Sequence, residues 1–564
     1  MHSLILLFSL LTVAPAPTTQ IKVDQVGYLT RAPKVALIVS PRPVVVFNVR
    51  RARDGSIVFS GKLAAPVDDA DSGDRVQAAD FTSLEEAGSY YLEVPGVGRS
   101  WDFSVGADVY AHAFYLTMRA FYGQRCGIAV DLGAEFPGYR HAACHLRGAY
   151  HASSGKTGAH ASARGWHDAG DYGRYVVNSA VATGTLLWTW ELFGARLRNV
   201  NLNIPESNDR TPDILDEVRW NLDWMLTMQD ADGGVWHKQT SEQFAPFVMP
   251  EMDDSVSYVV GTGAAPYKSS CATADFAAVT AIAARDYEPF DQAYAKRSLS
   301  AAVRAWDWLD KHPAVSFRNP AGVVTGEYGD RRCGDERLWA SAELWRTTRR
   351  NVYQRYFLAH FGEYAKTRDA FAPPSWANVA PLAMWTYVMG GGGDQAAVKT
   401  IREASLRAAD ETVARTVRSG YRNSLLTRDY VWGSNGVAAN YGVQLLVANA
   451  IRPDERYVAA ALEDLHYILG RNTFSLSFVT RLGENPFRHP HHRPSAADNN
   501  AEPWPGLMSG GANRSRQDPA MRKLPNLPPA RMYLDEQESY ATNEVAINWN
   551  APLVFLLAGV LPGN

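Results

Sequence analysis

Residues 394–416, DQAAVKTIREASLRAADETVART, decide the fold of the larger part of the chain. Val398, Ile401, Leu406 and Val413 recur on one side of a helix, with charged residues on the other. The same texture extends in both directions. It predicts helices over 107–123, 173–197, 211–230, 270–286, 290–312, 335–349, 351–363, 374–389, 394–416, 433–450, 453–470 and 543–560, about twelve in all. Such a count fits an (α/α)6 barrel, with inner and outer helices alternating and a site built by loops at one end. A helical repeat array would give the same count. The longest connection, 472–542, is rich in Pro, Gly, Asn, His and Arg. A loop of that length inside a compact domain is usually functional.

Before residue 106 the pattern changes. IKVDQVGYL, KVALIVS, PVVVFNVR, GSIVFSGKLA, RVQAADF, GSYYLEV and SWDFSV are short β-branched and aromatic runs separated by turn-forming residues. These seven runs over 20–105 predict a small all-β immunoglobulin-like sandwich. Residues 1–16 read as a signal peptide. Leu4–Val13 is an apolar run too short to span a bilayer, and Ala14-Pro15-Ala16 resembles a cleavage site. A secreted or periplasmic destination and a monomeric protein are expected.

At 564 residues the chain can hold a small domain and a large one. With 20% charged residues and a net charge of -3, it lacks the electrostatic footprint for nucleic acid or an anionic membrane. Its 16 Trp and 26 Tyr tilt the reading toward flat surfaces on which sugar rings stack.

Three segments carry chemistry. The first, Gly165-Trp166-His167-Asp168-Ala169-Gly170-Asp171-Tyr172-Gly173-Arg174-Tyr175, sets two carboxylates either side of a glycine at a loop-to-helix junction. One aspartate could be a helix cap. Capping does not explain the Trp, His and Tyr packed around both. The second, Ser477 to Arg493, gathers Arg488, His489, His491, His492 and Arg493 among prolines that hold an extended path. Such a wall offers donors to a polyhydroxylated ligand, or else forms a metal site or solvated basic patch. The third, Tyr533 to Ala551, puts Glu544 at the first turn of an apolar helix. There a carboxyl keeps its proton if desolvation outweighs the helix dipole.

The cysteines are at 126, 144, 271 and 333. Cys126, Cys144, His145 and His167 form a tetrahedral zinc complement of two thiolates and two imidazoles. The alternative is a Cys126–Cys144 disulfide. Cys271 and Cys333 read as small buried hydrophobes. Ile204 to Asp209 and Asp213 to Glu217 supply oxygen ligands for calcium, or an acidic helix start.

Together the three segments resemble the signatures of glycoside hydrolase family 9. Ser477, Val479, Thr480, Gly483, Asn485, His491 and Arg493 match its histidine signature. Tyr533, Asp535, Tyr540, Glu544, Ala546, Asn550 and Ala551 match its acid signature, and 168–171 its DAGD mark. The resemblance covers about 107 to 562, and the β domain is similar to the module that precedes one bacterial branch. It implies an (α/α)6 barrel, and an endo-acting β-1,4-glucanase (cellulase) that hydrolyses with inversion. An exo-acting glucosidase or glucosaminidase, or a silent carbohydrate-binding protein, are the alternatives. On this template Asp171 is the base and Asp168 helps hold the water. Glu544 is the acid, His491 and Arg493 bind the sugar nearest the bond, and Asp535 steadies the acid site. The resemblance also implies the structural zinc, and calcium. Residues alone do not rank Asp168 against Asp171.

Trp432 in YVWGSN, Tyr328 in EYGD and Tyr540 are candidates for contact with sugar. Trp339 and Trp345 read as core, and His237 as either a polar subsite contact or a loop residue.

Overall fold

The computed structural model describes residues 16–367 and 371–563. The expected signal peptide thus lies, except for its last residue, outside the described residues. Ten strands form a two-sheet sandwich: β1 (Ile21–Lys22), β2 (Gly27–Leu29), β3 (Val35–Val39), β4 (Val46–Arg51), β5 (Ile57–Lys62), β6 (Val67–Asp69), β7 (Asp74–Asp80), β8 (Gly88–Val94), β9 (Gly98–Arg99) and β10 (Phe103–Gly106). One sheet runs β1-β3-β7-β6 and the other β2-β10-β8-β4-β5, with β9 on β8. The first predicted run is split in two. Asp24 accepts the N–H groups of Val26 (2.9 Å) and Gly27 (3.0 Å), and this turn sends β1 and β2 into different sheets. Ile21, Tyr28, Phe47, Tyr90 and Phe103 fill the space between them.

The rest is mainly helical, with a few short strands in its loops between residues 130 and 260. Twelve long helices are α1 (Ala111–Gly123), α2 (Val176–Leu197), α3 (Asp213–Thr227), α4 (Ser270–Asp286), α5 (Gln292–Leu309), α6 (Gly334–Thr348), α7 (Asn351–Ala365), α8 (Ala380–Met389), α9 (Gln395–Arg418), α10 (Ser434–Ile451), α11 (Glu455–Ile468) and, last in the chain, α14 (Ile547–Val560). The short α12 (Arg493–Ala497) and α13 (Tyr540–Asn543) lie in or beside the long loop. α2, α4, α6, α8, α10 and α14 contact one another in a closed ring, each against the next. The alternate helices pack outside, so the fold is an (α/α)6 barrel rather than an open array. Inner helices are buried on nearly every side and show little amphipathic pattern, whereas α9, outside, turns Ile401 and Leu406 inward. Small residues let the inner ring close: a Cβ on Gly184 would come within 2.8 Å of Trp339. Trp339 and Trp345 are core, as expected.

The sandwich is docked on the barrel loops. Asp24 meets His466 Nδ1 at 2.8 Å and accepts from the Tyr110 hydroxyl at 3.0 Å. Gln25 Oε1 accepts from Asn485 N–H (2.7 Å), and Thr427 donates to Asp71 (2.7 Å). Both loops continue into site segments. Among the described residues no helix is long and apolar enough to cross a membrane.

One cysteine expectation is corrected. Cys271 and Cys333 are disulfide-bonded, linking the start of α4 to the residue before α6. Cys126 and Cys144 are free thiols, so the alternative disulfide is not formed.

Candidate active site

Residues just ahead of the inner helices line one cavity of about 420 Å³: Asp168 and Asp171 before α2, Tyr328 before α6, Trp376 before α8, Trp432 before α10 and Glu544 before α14. Helix N-termini, the positive ends of their dipoles, therefore ring a site that holds the carboxyls of Asp168, Asp171 and Glu544, with Glu327 also in its lining.

The two aspartates do not cap α2, whose N-cap is Tyr175 without a side-chain bond. They are held differently from each other. Asp168 is buried, and both of its oxygens are engaged: Asn178 Nδ2 donates to Oδ1 and the Tyr328 hydroxyl to Oδ2, each at 2.7 Å. Burial, and then the neighbouring Asp171 charge, raise its pKa. On Asp171, Oδ2 accepts from the Tyr175 hydroxyl (2.8 Å) and Gly173 N–H (3.1 Å). Among the described residues Oδ1 has no protein partner, and Asp171 lines the cavity. Gly170 is required between them, because a Cβ there would sit 1.9 Å from the His491 carbonyl oxygen.

Glu544 is not in a helix's first turn. It is extended, at φ -68° and ψ 156°, between α13 and α14. Its backbone is tied instead to neighbouring loops: it bridges with His491, and its carbonyl accepts from Gly510 N–H (2.8 Å). The missing turn is explained by those partners, which an early helix start would forgo. Burial raises the Glu544 pKa well above the ordinary range, and the Asp171 and Asp168 charges add to this. Arg493 and the Trp432 indole oppose it and are outweighed.

The histidine loop packs beside the site, its His491 backbone bridging Glu544, but neither His491 nor Arg493 is among the residues that line the cavity. His491 Nδ1 lies 2.7 Å from the Gln537 carbonyl, which can only accept, so Nδ1 carries the proton. Burial lowers the pKa of the ring, and the neutral ring offers Nε2 as an acceptor for a sugar hydroxyl. Arg493 is buried and largely spent on protein: Nη1 donates to Gly170 O (2.6 Å) and Nε to Ala245 O (2.8 Å). It clamps the DAGD loop to the loop carrying Phe244 and Phe247. Asp535 accepts from Arg488 N–H, His489 N–H (both 2.8 Å) and Asn543 Nδ2 (3.0 Å), so it ties the histidine loop to the residue before Glu544.

Trp432 is 38% exposed and packs at 5.4 Å against Tyr540, which in turn faces His491 at 5.8 Å. His237 takes the loop role. It is buried, stacks on Phe317 at 3.8 Å, and bonds Ser269 Oγ (3.0 Å) and Glu327 O (2.8 Å), behind Tyr328 rather than in the cavity. Trp376 and Phe244 also line the cavity and lie outside the three segments, and Trp549, within the third, lines it too.

Behind the DAGD loop, ligand atoms of Cys126, Cys144, His145 and His167 lie within 4.8 Å of one another, a cluster able to hold a metal. His145 Nε2 lies 3.2 Å from Asp253, and its buried Nδ1 has no partner.

The sequence profile of "Glycosyl hydrolase family 9" matches residues 110–557, and that of "Cellulase N-terminal ig-like domain" matches 16–99. Endoglucanase D of Acetivibrio thermocellus is 39% identical over 97% of this chain and 84% of its own length. A xyloglucan-specific endo-beta-1,4-glucanase of Bacteroides ovatus is 34% identical over 96% of this chain and 94% of its own. The crystal structure of a metagenome-derived family 9 endoglucanase superposes with a TM-score of 0.88 at 38% identity, covering 96% of this chain and 99% of that one. With the barrel, the carboxyl site and the sandwich in place, the chain belongs to glycosyl hydrolase family 9 and is a glycoside hydrolase with an N-terminal immunoglobulin-like domain.

Proposed function

We propose that this protein is a secreted endo-β-1,4-glucanase that hydrolyses internal bonds of a β-glucan with inversion, Asp171 acting as base and Glu544 as acid. The observation that carries this reading is the asymmetry of the carboxyls. Asp171 keeps one oxygen free of protein partners and lines the cavity, while burial and the charges beside it raise the pKa of Glu544 well above the ordinary carboxyl range. Inversion needs one ionised and one protonated carboxyl, acting on opposite faces of the sugar. Asp168, with both oxygens already bonded, is suited to orient the water rather than to take its proton. His491 supplies an acceptor to the sugar beside the bond, and Arg493 and Asp535 hold the loops in register. The test is a product profile on a soluble cellulosic polymer, with NMR of the new anomeric centre. Rapid loss of viscosity and an inverted product are expected. Release of glucose alone would favour the exo-acting alternative, and no release at all the silent binding protein.

Trp432 and Tyr540 give this reading its substrate wall. A half-exposed indole stacks on the flat face of a glucose ring. Trp432→Ala is expected to weaken use of oligomers by about 1–3 kcal/mol in kcat/KM, with Tm little changed. A large fall in Tm without selectivity for longer substrates would make Trp432 a packing residue.

The buried Cys/His cluster fits zinc, which would be held by Cys126, Cys144, His145 and His167 and would supply structural rigidity. Asp253 orients His145 from behind. Calcium is the other metal expected, in the acidic segment, although among the described residues only the Cys/His set brings three or more ligand atoms together. Glu206 Oε2 and Asp216 Oδ2 are buried without partners, and the Asp216 carboxyl is pushed up to about 8 by burial and by Asp209, Glu206 and Asp213. Glu217 is committed to Arg125 at 3.0 Å. Calcium is therefore expected to raise Tm, and Asp216→Asn to abolish that response; equal melting with calcium or chelator would remove the site.

A further inference from the structure

Asp171 owes its orientation to Tyr175, which closes the first segment quoted above and lies outside its DAGD mark. Tyr175 pairs across two short strands, β11 (Arg174–Tyr175) and β12 (Lys238–Thr240), with Lys238 directly opposite. The Tyr175 hydroxyl is 2.8 Å from Asp171 Oδ2 and receives Gly326 N–H at 3.1 Å. An N–H can only donate, so the oxygen of that hydroxyl is the acceptor there, and its own proton is directed at Asp171.

Gly326 is itself fixed. The buried Lys238 ammonium reaches Gly326 O (2.8 Å), Thr325 Oγ1 (2.9 Å), Thr325 O (3.2 Å) and Asn319 Oδ1 (2.8 Å). It also lies 5.5 Å from the centre of the Tyr175 ring. A Cβ on Gly326 would come within 3.1 Å of that ring and would press on it. The result is a chain of contacts from a buried cation, through a backbone N–H and a phenol, to one oxygen of a carboxylate.

We propose that Tyr175, locked by Gly326 and Lys238, is the positioning residue that holds Asp171 Oδ2 and so leaves Oδ1 as the oxygen that takes the proton from water. This rests on the assignment of Asp171 as base. A carboxylate held by one hydrogen bond fewer can rotate, and both of its oxygens then share the water-facing position. The ring stays in place in Tyr175→Phe, so substrate binding should be spared.

Tyr175→Phe should lower kcat about 10- to 100-fold, the size expected for losing a hydrogen bond to a charged group, with KM nearly unchanged. The defect should persist on β-cellobiosyl fluoride, whose leaving group needs no proton, whereas Glu544→Gln should recover there. Lys238→Met should lower kcat in the same direction with the same pattern. Each variant is measured well below its own Tm, so that a loss of stability does not enter. Wild-type kcat in Tyr175→Phe would overturn the proposal. So would recovery of that variant on the fluoride, which would mean that Tyr175 acts through the acid. Wild-type turnover in Asp171→Asn would instead overturn the base assignment itself, and the two failures are read on separate proteins.

Discussion

Glu544→Gln loses turnover of a natural glucan by about 10²–10⁴-fold or more, the contribution of a positioned general acid, while the fold is kept. The amide has the same shape, but it cannot give a proton to the departing oxygen. The sign of the pH effect follows from the burial of this side chain. Desolvation and the Asp171 and Asp168 charges disfavour the ionised form, so the proton is retained to higher pH. Activity of the wild type should fall as pH rises through that point, because the acid is then spent. Glutamine has no proton to lose, so the residual rate of the variant should lack this basic limb. Activated substrates should restore much of the rate. Asp171→Asn should be equally severe and should not be restored in that way, since the missing function is acceptance of a proton from water. A pH–rate profile and a comparison of leaving groups on both variants check this. A Glu544→Gln protein with wild-type kcat on polymer would remove the acid assignment.

The features legible in the sequence were those written in local pattern. Helical periodicity located the twelve long helices, because each element's spacing is set by its own residues. Closure of the inner ring was not legible from periodicity, since α2, α4 and α14 are buried all round and show no favoured face. Motif resemblance points to Asp168, Asp171, Glu544, His491, Arg493 and Asp535; the first three line one cavity, whereas the last three are tied to the backbone and side chains of the loops beside it. Their division of labour was not legible. It depends on partners far away in the chain, such as Tyr328 on Asp168, 160 residues apart. The same limit applies to the Cys271–Cys333 bond, across 62 residues, where each cysteine alone looks like an ordinary buried small side chain. Glu544 was placed in a helix because the apolar run after it is helical. The loop contacts of its backbone, to His491 and Gly510, delay the start of α14 to Ile547.

Cys126→Ser is expected to lose a tightly held zinc and to lower Tm by roughly 10 °C or more, since a structural site contributes its binding energy to folding. The geometry is close to what the ion demands. Cys144 Sγ and His167 Nε2 are 3.8 Å apart. Zinc bond lengths of about 2.3 Å to sulfur and 2.0 Å to nitrogen imply a tetrahedral edge of roughly 3.5 Å. Four protein ligands leave no open position for water, so the ion's effect on hydrolysis has to be indirect. Its route is short. Cys126 N–H donates to Gly165 O (2.8 Å), His167 N–H donates to Gln124 O (2.7 Å), and the next residue is Asp168. Without the ion, two thiols and two imidazoles are left buried beside the loop that carries both aspartates. Activity should therefore decline along with rigidity, more in kcat than in KM, because the aspartates are misplaced rather than the sugar wall. Elemental analysis gives the metal content, and calorimetry of wild type and variant gives the stability. Wild-type protein with no zinc and with Cys126 and Cys144 joined as a disulfide by mass spectrometry would replace this reading. A variant that loses zinc but keeps both Tm and kcat would show that the ion holds nothing the site depends on.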